Sequence, residues 1–274
     1  MKGIRNKKAK KILIGILTLL AIILLIVVGY IANFVYSNNE YYKNEKNIQI
    51  PIFVYHNIVD EITEPEYMQT TKENFIKQVT GFRKLGYDII RYDDLISYYN
   101  GEKKLKEKSL LITLDDGWEG NYTNLFPIVK EYNIPVSINV IDSNIGTEKY
   151  MTWEQIKEMS DSGLVDIYSH SRYHRNPKNV STEEYVNDVE YAHKHIEEKL
   201  EKKVTKVFTY PYGIYDEDKI NALNKAGFFI QNLTDNKVNE SNNLDMLRLH
   251  REYPLNDSVE KILLKTVYRS IKYN

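Results

Sequence analysis

Leu110-Leu-Ile-Thr-Leu-Asp-Asp-Gly-Trp118 is the stretch on which the reading of this chain turns. Its first half is an apolar, partly β-branched run with the length of a buried strand, and it breaks off in two adjacent carboxylates and a glycine. Two ionised groups side by side repel, and partial burial makes the repulsion worse. A compensating cation would remove the conflict, and its other ligands must then lie elsewhere in the chain.

The strand has company. Short β-rich runs recur at IPIFVY (50–55), YDIIR (87–91), SLLITL (109–114), VSINVI (136–141), LVDIYS (164–169), KVFTY (206–210), FFIQNL (228–233) and MLRLH (246–250). Helical patterns fill the intervals. Phe75, Val79 and Phe82 share a face ahead of Gly86, Leu125, Val129 and Tyr132 do so ahead of Asn133, and Thr152 to Gln155 forms a capping box. Tyr185, Val189, Ile196 and Leu200 line a long charged helix, and Val259, Ile262, Leu263 and Val267 mark the last one. Such alternation predicts parallel strands under helical cover, and this many units predict a closed or nearly closed barrel rather than an open sheet. Chemistry in such barrels collects at the C-terminal ends of the strands.

The chain has 274 residues, 42% hydrophobic, with 23 Tyr and no Cys. Residues 1–11 hold six Lys/Arg and no acid, so the net charge of −1 leaves −1 − 6 = −7 for the remainder. The uncharged run 12–32 would measure about 31 Å as a helix, enough to cross the hydrocarbon of a bilayer. It predicts a transmembrane signal anchor with the basic tail 1–11 in the cytoplasm, a polar stalk over 33–47 and one extracellular domain over 48–274, held at the cell membrane by a single span. A cleaved signal peptide is the competing reading; the length of the run and the lack of an A-x-A-like site argue for the anchor. The acidic balance argues against a nucleic-acid partner.

Four of the six histidines, His56, His170, His174 and His250, fall at or just past a strand end, whereas His193 and His195 sit in a charged helix and read as solvated surface. His170 and His174 are four apart, so one turn of helix after the strand would set both imidazoles on the same side. Two neutral imidazoles and a carboxylate form an open Zn²⁺ site with the fourth position left to water. Asp116 is then the third ligand and Asp115 a free general base. Adjacent side chains on a strand point opposite ways, so a turn starting at Gly117 has to re-aim one of them. A site of this kind activates water for attack on a carbonyl, and a second acid must protonate the leaving nitrogen.

In this order and at these intervals, TLDDG (113–117), HSRYH (170–174) and FTYPYG (208–213) resemble the motifs of the polysaccharide deacetylases, the NodB-homology or carbohydrate esterase family 4 enzymes. The resemblance covers nearly all of 48–274. It implies an α/β fold, a distorted (β/α)₇ barrel, and metal-dependent removal of N-acetyl groups from GlcNAc-containing polymers. It also implies Asp115 as base, Asp116, His170 and His174 as metal ligands, and Tyr212, after Tyr210 and Pro211, as donor of a backbone N–H to the oxyanion.

Two departures refine this. Many members carry, where this chain has Thr209, an Arg that positions the catalytic Asp, and the late leucine-x-histidine motif is imperfect, with Arg248 two before His250. Both features, and PIFVYHN near the domain start, resemble the subgroup that deacetylates poly-β-1,6-GlcNAc of biofilms, in which a histidine preceding the DDG motif is the acid. His56 is therefore the expected general acid and His250 its alternative. If MLRLHR is a strand, Arg248 and His250 share a face, and Arg248 supplies the guanidinium missing at 209. Among the aromatics, Tyr55, Tyr173, Tyr210 and Tyr212 flank the expected site, where a ring can stack on a pyranose; Trp118 reads equally as rim packing or sugar stacking, and Trp153 as packing against the barrel. Peptidoglycan is the alternative substrate. A non-catalytic glycan-binding module is the reading from another class; Thr209 favours it and the retained Asp115 opposes it.

Overall fold

This computed structural model describes residues 14–30 and 47–273, and the chain divides into two compact units, Met1–Asn47 and Ile48–Asn274. In the first, residues 14–30 form a helix with exposed apolar side chains. Among the described residues no helix is long and apolar enough to cross a membrane. The ends of the expected 12–32 span, the basic tail and residues 33–46 of the stalk lie outside the described residues.

The second unit is built on a seven-stranded parallel sheet. Its strands are β1 (Ile52–Tyr55), β2 (Asp88–Ile89), β3 (Ser109–Asp116), β4 (Val136–Val140), β5 (Val165–Ser169), β6 (Val207–Thr209) and β7 (Ile230–Asn232). Their spatial order is β7-β6-β5-β4-β3-β1, and β2 pairs with the start of β3 below the stretch that β1 occupies. Seven helices follow in alternation: α1 (Lys72–Lys84), α2 (Tyr92–Tyr99), α3 (Phe126–Tyr132), α4 (Trp153–Asp161), α5 (Thr182–Leu200), α6 (Glu217–Lys225) and α7 (Val259–Tyr273).

The sheet is a half-barrel whose edges are linked by the segment expected as the strand MLRLH. That segment is not a strand. Leu249 bridges Asn232 of β7 and Glu252 bridges Phe53 of β1, so the chain crosses from one edge to the other and pairs with each only in passing. Strand β3 runs two residues beyond expectation, through both aspartates, and is buried throughout.

Side-chain alternation sorts the barrel into two environments. Leu110, Ile112 and Leu114 face outward and pack with Phe75, Val79 and Phe82 of α1. Leu111 faces inward with Ile52, Val207, Ile230 and Leu249. Further along the strands the inward positions turn polar: Thr113 beside Ser137, Thr209 beside Asn232, then Asp115 beside Asn139. Asn232 holds this middle layer together, its Nδ2 donating to Thr209 Oγ1 at 3.0 Å and its Oδ1 accepting from the Tyr92 hydroxyl at 2.9 Å. The apolar end supplies the packing, and the polar end supplies the site.

The helix faces expected from periodicity are the buried ones in α1 and α5. Thr152 caps α4 with the reciprocal Gln155 bond of a capping box, and Trp153 packs against the core with its ring 5.1 Å from that of His195. Both histidines of α5 depart from the expected solvated surface. His193 is buried, one turn beyond Val189 on the same face and with its ring 5.4 Å from that of Phe228. His195 is partly buried, its Nδ1 2.5 Å from Asp142 Oδ1.

Candidate active site

An unbroken strand would throw Asp116 out of the barrel while Asp115 points in. The reversal begins at Asp116 itself (φ +77°), one residue before the expected turn at Gly117 (φ +88°). Asp116 Oδ1 consequently stands 3.6 Å from His170 Nε2 and 3.8 Å from His174 Nε2, and its Oδ2 accepts the Trp118 indole N–H at 3.0 Å. The two imidazoles meet through a loop rather than the expected helical turn. Ser171 (φ +69°) and His174 (φ +53°) both take left-handed backbone, and the His174 N–H donates to Ser171 Oγ at 3.0 Å.

His170 Nδ1 lies 2.8 Å from the Thr209 carbonyl oxygen. A carbonyl can only accept, so Nδ1 carries the proton and Nε2 presents its lone pair. The two Nε2 atoms are 3.2 Å apart. Tetrahedral coordination at bond lengths near 2.0–2.1 Å keeps ligand atoms roughly 3.3–3.4 Å from each other. At 3.2, 3.6 and 3.8 Å, the three donor atoms match that spacing to within about half an ångström. Asp116 Oδ1 is moreover buried with no hydrogen-bond partner among the described residues. The residues present therefore fit a divalent cation.

Asp115 is held by a guanidinium, and it comes from Arg251, not from Arg248. Arg251 donates from Nη1 to Asp115 Oδ1 at 2.8 Å and from Nη2 to Oδ2 at 2.7 Å. Its remaining N–H groups reach Thr113 Oγ1, Thr234 Oγ1 and the Leu233 carbonyl, so all five donors of a fully buried side chain are satisfied. Asn139 Nδ2 adds a bond to Asp115 Oδ1 at 2.8 Å. Burial alone would raise the Asp115 pKa; the charge of Arg251 and its hydrogen bonds overcome it and hold the group well below the usual carboxylate range.

Alternation explains why Arg248 was the wrong arginine. Leu249 and Arg251 face inward, so Arg248 and His250 face away. Arg248 pairs with Asp245 at 2.7 Å and with Glu217, and His250 Nδ1 lies 2.9 Å from Asp235 Oδ2. The crossing segment is fixed from behind by buried Glu252, whose carboxylate accepts from Thr266 Oγ1 at 2.7 Å and pairs with Arg269, both on α7.

His56 follows β1 into the site. Burial lowers its pKa, opposed by the charges of Asp116 and Asp115. Its ring stacks on Tyr253 with centroids 6.0 Å apart. Of the aromatics expected to touch substrate, Tyr55 and Tyr210 do not reach the site: both point outward into the core, their hydroxyls donating to Gln78 Oε1 at 2.9 Å and Gln231 Oε1 at 2.7 Å. Pro211, next after Tyr210 in the chain, is buried. Tyr212 (φ +60°) is 63% exposed, its ring 4.5 Å from that of His174. Tyr173 is exposed with Arg172 and Arg175 over its ring, and Trp118 stacks on Tyr150 with centroids 4.7 Å apart.

Three site residues were not foreseen. Asn139 left a signal, a lone amide within the apolar run VSINVI. Arg251 left a weaker one, since Leu249 two residues earlier marks the inward face. Tyr253 lies beyond any periodic segment and left none.

Comparison with known proteins agrees with this geometry. Residues 102–230 match the polysaccharide deacetylase family. The chain is 28% identical over 209 residues to YxkH of Bacillus subtilis (strain 168), spanning 76% of this chain and 72% of that protein. It is 30% identical over 143 residues to the poly-beta-1,6-N-acetyl-D-glucosamine N-deacetylase of Staphylococcus aureus (strain MSSA476), spanning 47% of this chain and 49% of that enzyme. Among solved structures, the fold is shared with the Streptococcus pyogenes deacetylase PplD in complex with acetate (TM-score 0.71, 21% identity, 80% of this chain and 98% of that one). It is shared likewise with IcaB from Ammonifex degensii (TM-score 0.69, 23% identity, 80% and 97%). The stretch 102–230, which holds Asp115, Asp116, His170 and His174, matches the polysaccharide deacetylase family, and the homologues and solved structures that share the fold are deacetylases.

Proposed function

We propose that the domain removes N-acetyl groups from a GlcNAc-containing exopolysaccharide of the poly-β-1,6-linked type. The observation that carries this is the forked Arg251–Asp115 pair beside the Asp116–His170–His174 cluster: an ionised, aimed carboxylate next to three ligand atoms. The histidine of PIFVYHN and the named activity of the Staphylococcus aureus relative support the choice of polymer.

Asp115 accepts the proton of the attacking water, whose oxygen bonds to the acetyl carbon. Arg251 leaves Asp115 a weak base; a divalent ion, for which Zn²⁺ is a suitable candidate, would be held by Asp116, His170 and His174 and would acidify that water and polarise the acetyl carbonyl. The Tyr212 N–H, on left-handed backbone, donates to the oxyanion. His56 gives a proton to the departing nitrogen as the C–N bond breaks, leaving acetate and a free amine. We assign the run 12–32 as an anchor that keeps the domain outside the cell membrane, near newly exported glycan.

Acetate release from β-1,6-linked oligo-GlcNAc and from peptidoglycan fragments, measured side by side, tests the assignment. Release from the former, lost in Asp115→Asn, is the expected result. Release from peptidoglycan alone transfers the activity to the cell wall, and release from neither, in metal-loaded protein, returns the domain to a glycan binder.

A further inference from the structure

The segment 141–143, directly after β4, stands behind both turns that carry the Asp116–His170–His174 cluster, and no step of the reaction above uses it. The Ile141 N–H donates to the Asp116 carbonyl oxygen at 3.3 Å, the Asp142 N–H to that of Ser171 at 3.2 Å, and the Ser143 N–H to that of Arg172 at 3.0 Å. These bonds matter most for the turn 170–174, which is neither helix nor strand and carries left-handed backbone at Ser171 and His174. Such backbone persists only where its surroundings over-determine it.

What fixes 141–143 in turn is α5. Asp142 is buried, and its Oδ1 lies 2.5 Å from His195 Nδ1. One turn earlier on the same side of the helix, Tyr191 carries the Arg172 guanidinium 3.8 Å over its ring. Two successive turns of α5 thus hold the two segments that meet behind the cluster. The helix is a firm support: Tyr185 and Val189 pack into one part of the core, Ile196 and Leu200 into another. The His195 ring is braced by that of Trp153, with centroids 5.1 Å apart.

We propose that His195 is a positioning residue for the metal cluster. By holding Asp142 it fixes 141–143, and through that segment the spacing of the donor atoms of Asp116, His170 and His174. The proposal rests on the reading of those three residues as ligands. Donor atoms already in place need no ordering when an ion arrives, and loss of a group that orients ligands typically weakens metal binding roughly 10–100-fold.

The test measures Zn²⁺ affinity of the full-length protein by competition with a chromogenic chelator, and the visible absorption spectrum of the Co²⁺-loaded protein. His195→Phe keeps a ring and loses the N–H. It is expected to weaken Zn²⁺ binding roughly tenfold and to alter the Co²⁺ spectrum. His195→Asn, whose amide N–H takes the place of Nδ1–H, is expected to recover most of the affinity and the wild-type spectrum. Leu223→Ala, which opens a cavity in the core under α6, is expected to lower Tm and leave both readouts unchanged. Should His195→Phe fail to fold, Asp142→Ala breaks the same bond from the other end and is expected to show the same loss. Wild-type affinity in the variant that breaks the bond, no recovery in His195→Asn, or an equal loss in Leu223→Ala overturns the positioning role and leaves the ligand reading standing. Wild type that binds no Zn²⁺ overturns both.

Discussion

Arg251 grips Asp115 through two parallel N–H···O bonds of 2.8 and 2.7 Å at the C-terminal mouth of the barrel, with neither side chain open to solvent. The pair joins the end of the central strand to the segment that links the sheet's two edges. It makes catalytic geometry depend on how that link is seated.

Arg251→Lys keeps the charge but loses the fork, and its kcat should fall on the order of 100-fold, the penalty of a misaimed group. Arg251→Ala leaves a buried carboxylate unpaired and should cost about 3–5 kcal/mol of stability as well. Arg248→Ala, which breaks only partly exposed pairs with Asp245 and Glu217, should change kcat by less than about twofold. Steady-state kinetics and urea unfolding of the three variants check this; a large kcat loss in Arg248→Ala would count against the assignment.

The depressed pKa of Asp115 has a pH signature in metal-free protein. A carboxyl whose folded pKa lies below its unfolded value stabilises the fold in full above the unfolded value, about 3.9, and the contribution fades as pH falls towards the folded one. The Tm difference between wild type and Asp115→Asn should be flat from pH 8 to 5 and shrink only below about 4. A difference that already shrinks near pH 6 would contradict the pairing.

Removing metal should abolish turnover without unfolding the domain, because the Arg251–Asp115 pair and the His170–Thr209 bond run directly between protein groups and not through an ion. Elemental analysis should find one divalent ion per chain in wild type. It should find much less in Asp116→Ala, His170→Ala or His174→Ala, each with near-native circular dichroism. Full metal occupancy in any of the three would remove that residue from the ligand set.

Gly117→Ala puts a Cβ on a backbone of φ +88° and within 3.2 Å of Val140 Cγ1. Left-handed backbone costs a non-glycine residue about 1–2 kcal/mol, and the contact adds to it. Because Gly117 continues the reversal that aims Asp116, metal affinity should drop together with stability. Isothermal titration with Zn²⁺ beside thermal melts reads both, and unchanged affinity would show that Asp116 is aimed without it.

Local patterning made much of this legible. The apolar run before Asp115, the faces of α1 and α5 and the capping box at Thr152 are set by side chains within a few residues of each other. Asp116, His170 and His174 were recognisable because metal ligation limits both the residue types and their spacing. The same logic failed where a short polar segment had no period to read. MLRLHRE offers two parities, and the apolar Leu249 sits on the one opposite to Arg248 and His250. Likewise, Tyr55 and Tyr210 flank site residues in the chain but turn outward to Gln78 and Gln231, since neighbours along a strand face opposite sides.

By itself the sequence determined the alternating parallel architecture, the carboxylate doublet at a strand end and the three residues whose donor atoms converge, because each is written in periodicity or in residue chemistry over short range. Only the tertiary structure decided which arginine holds the base, that the doublet's reversal begins at Asp116, and which aromatics reach the rim. Those outcomes depend on where a crossing segment meets two distant strands, Asn232 on one side and Phe53 on the other. A contact between residues so far apart in the chain is settled by the packing of the whole barrel, and no local pattern encodes it.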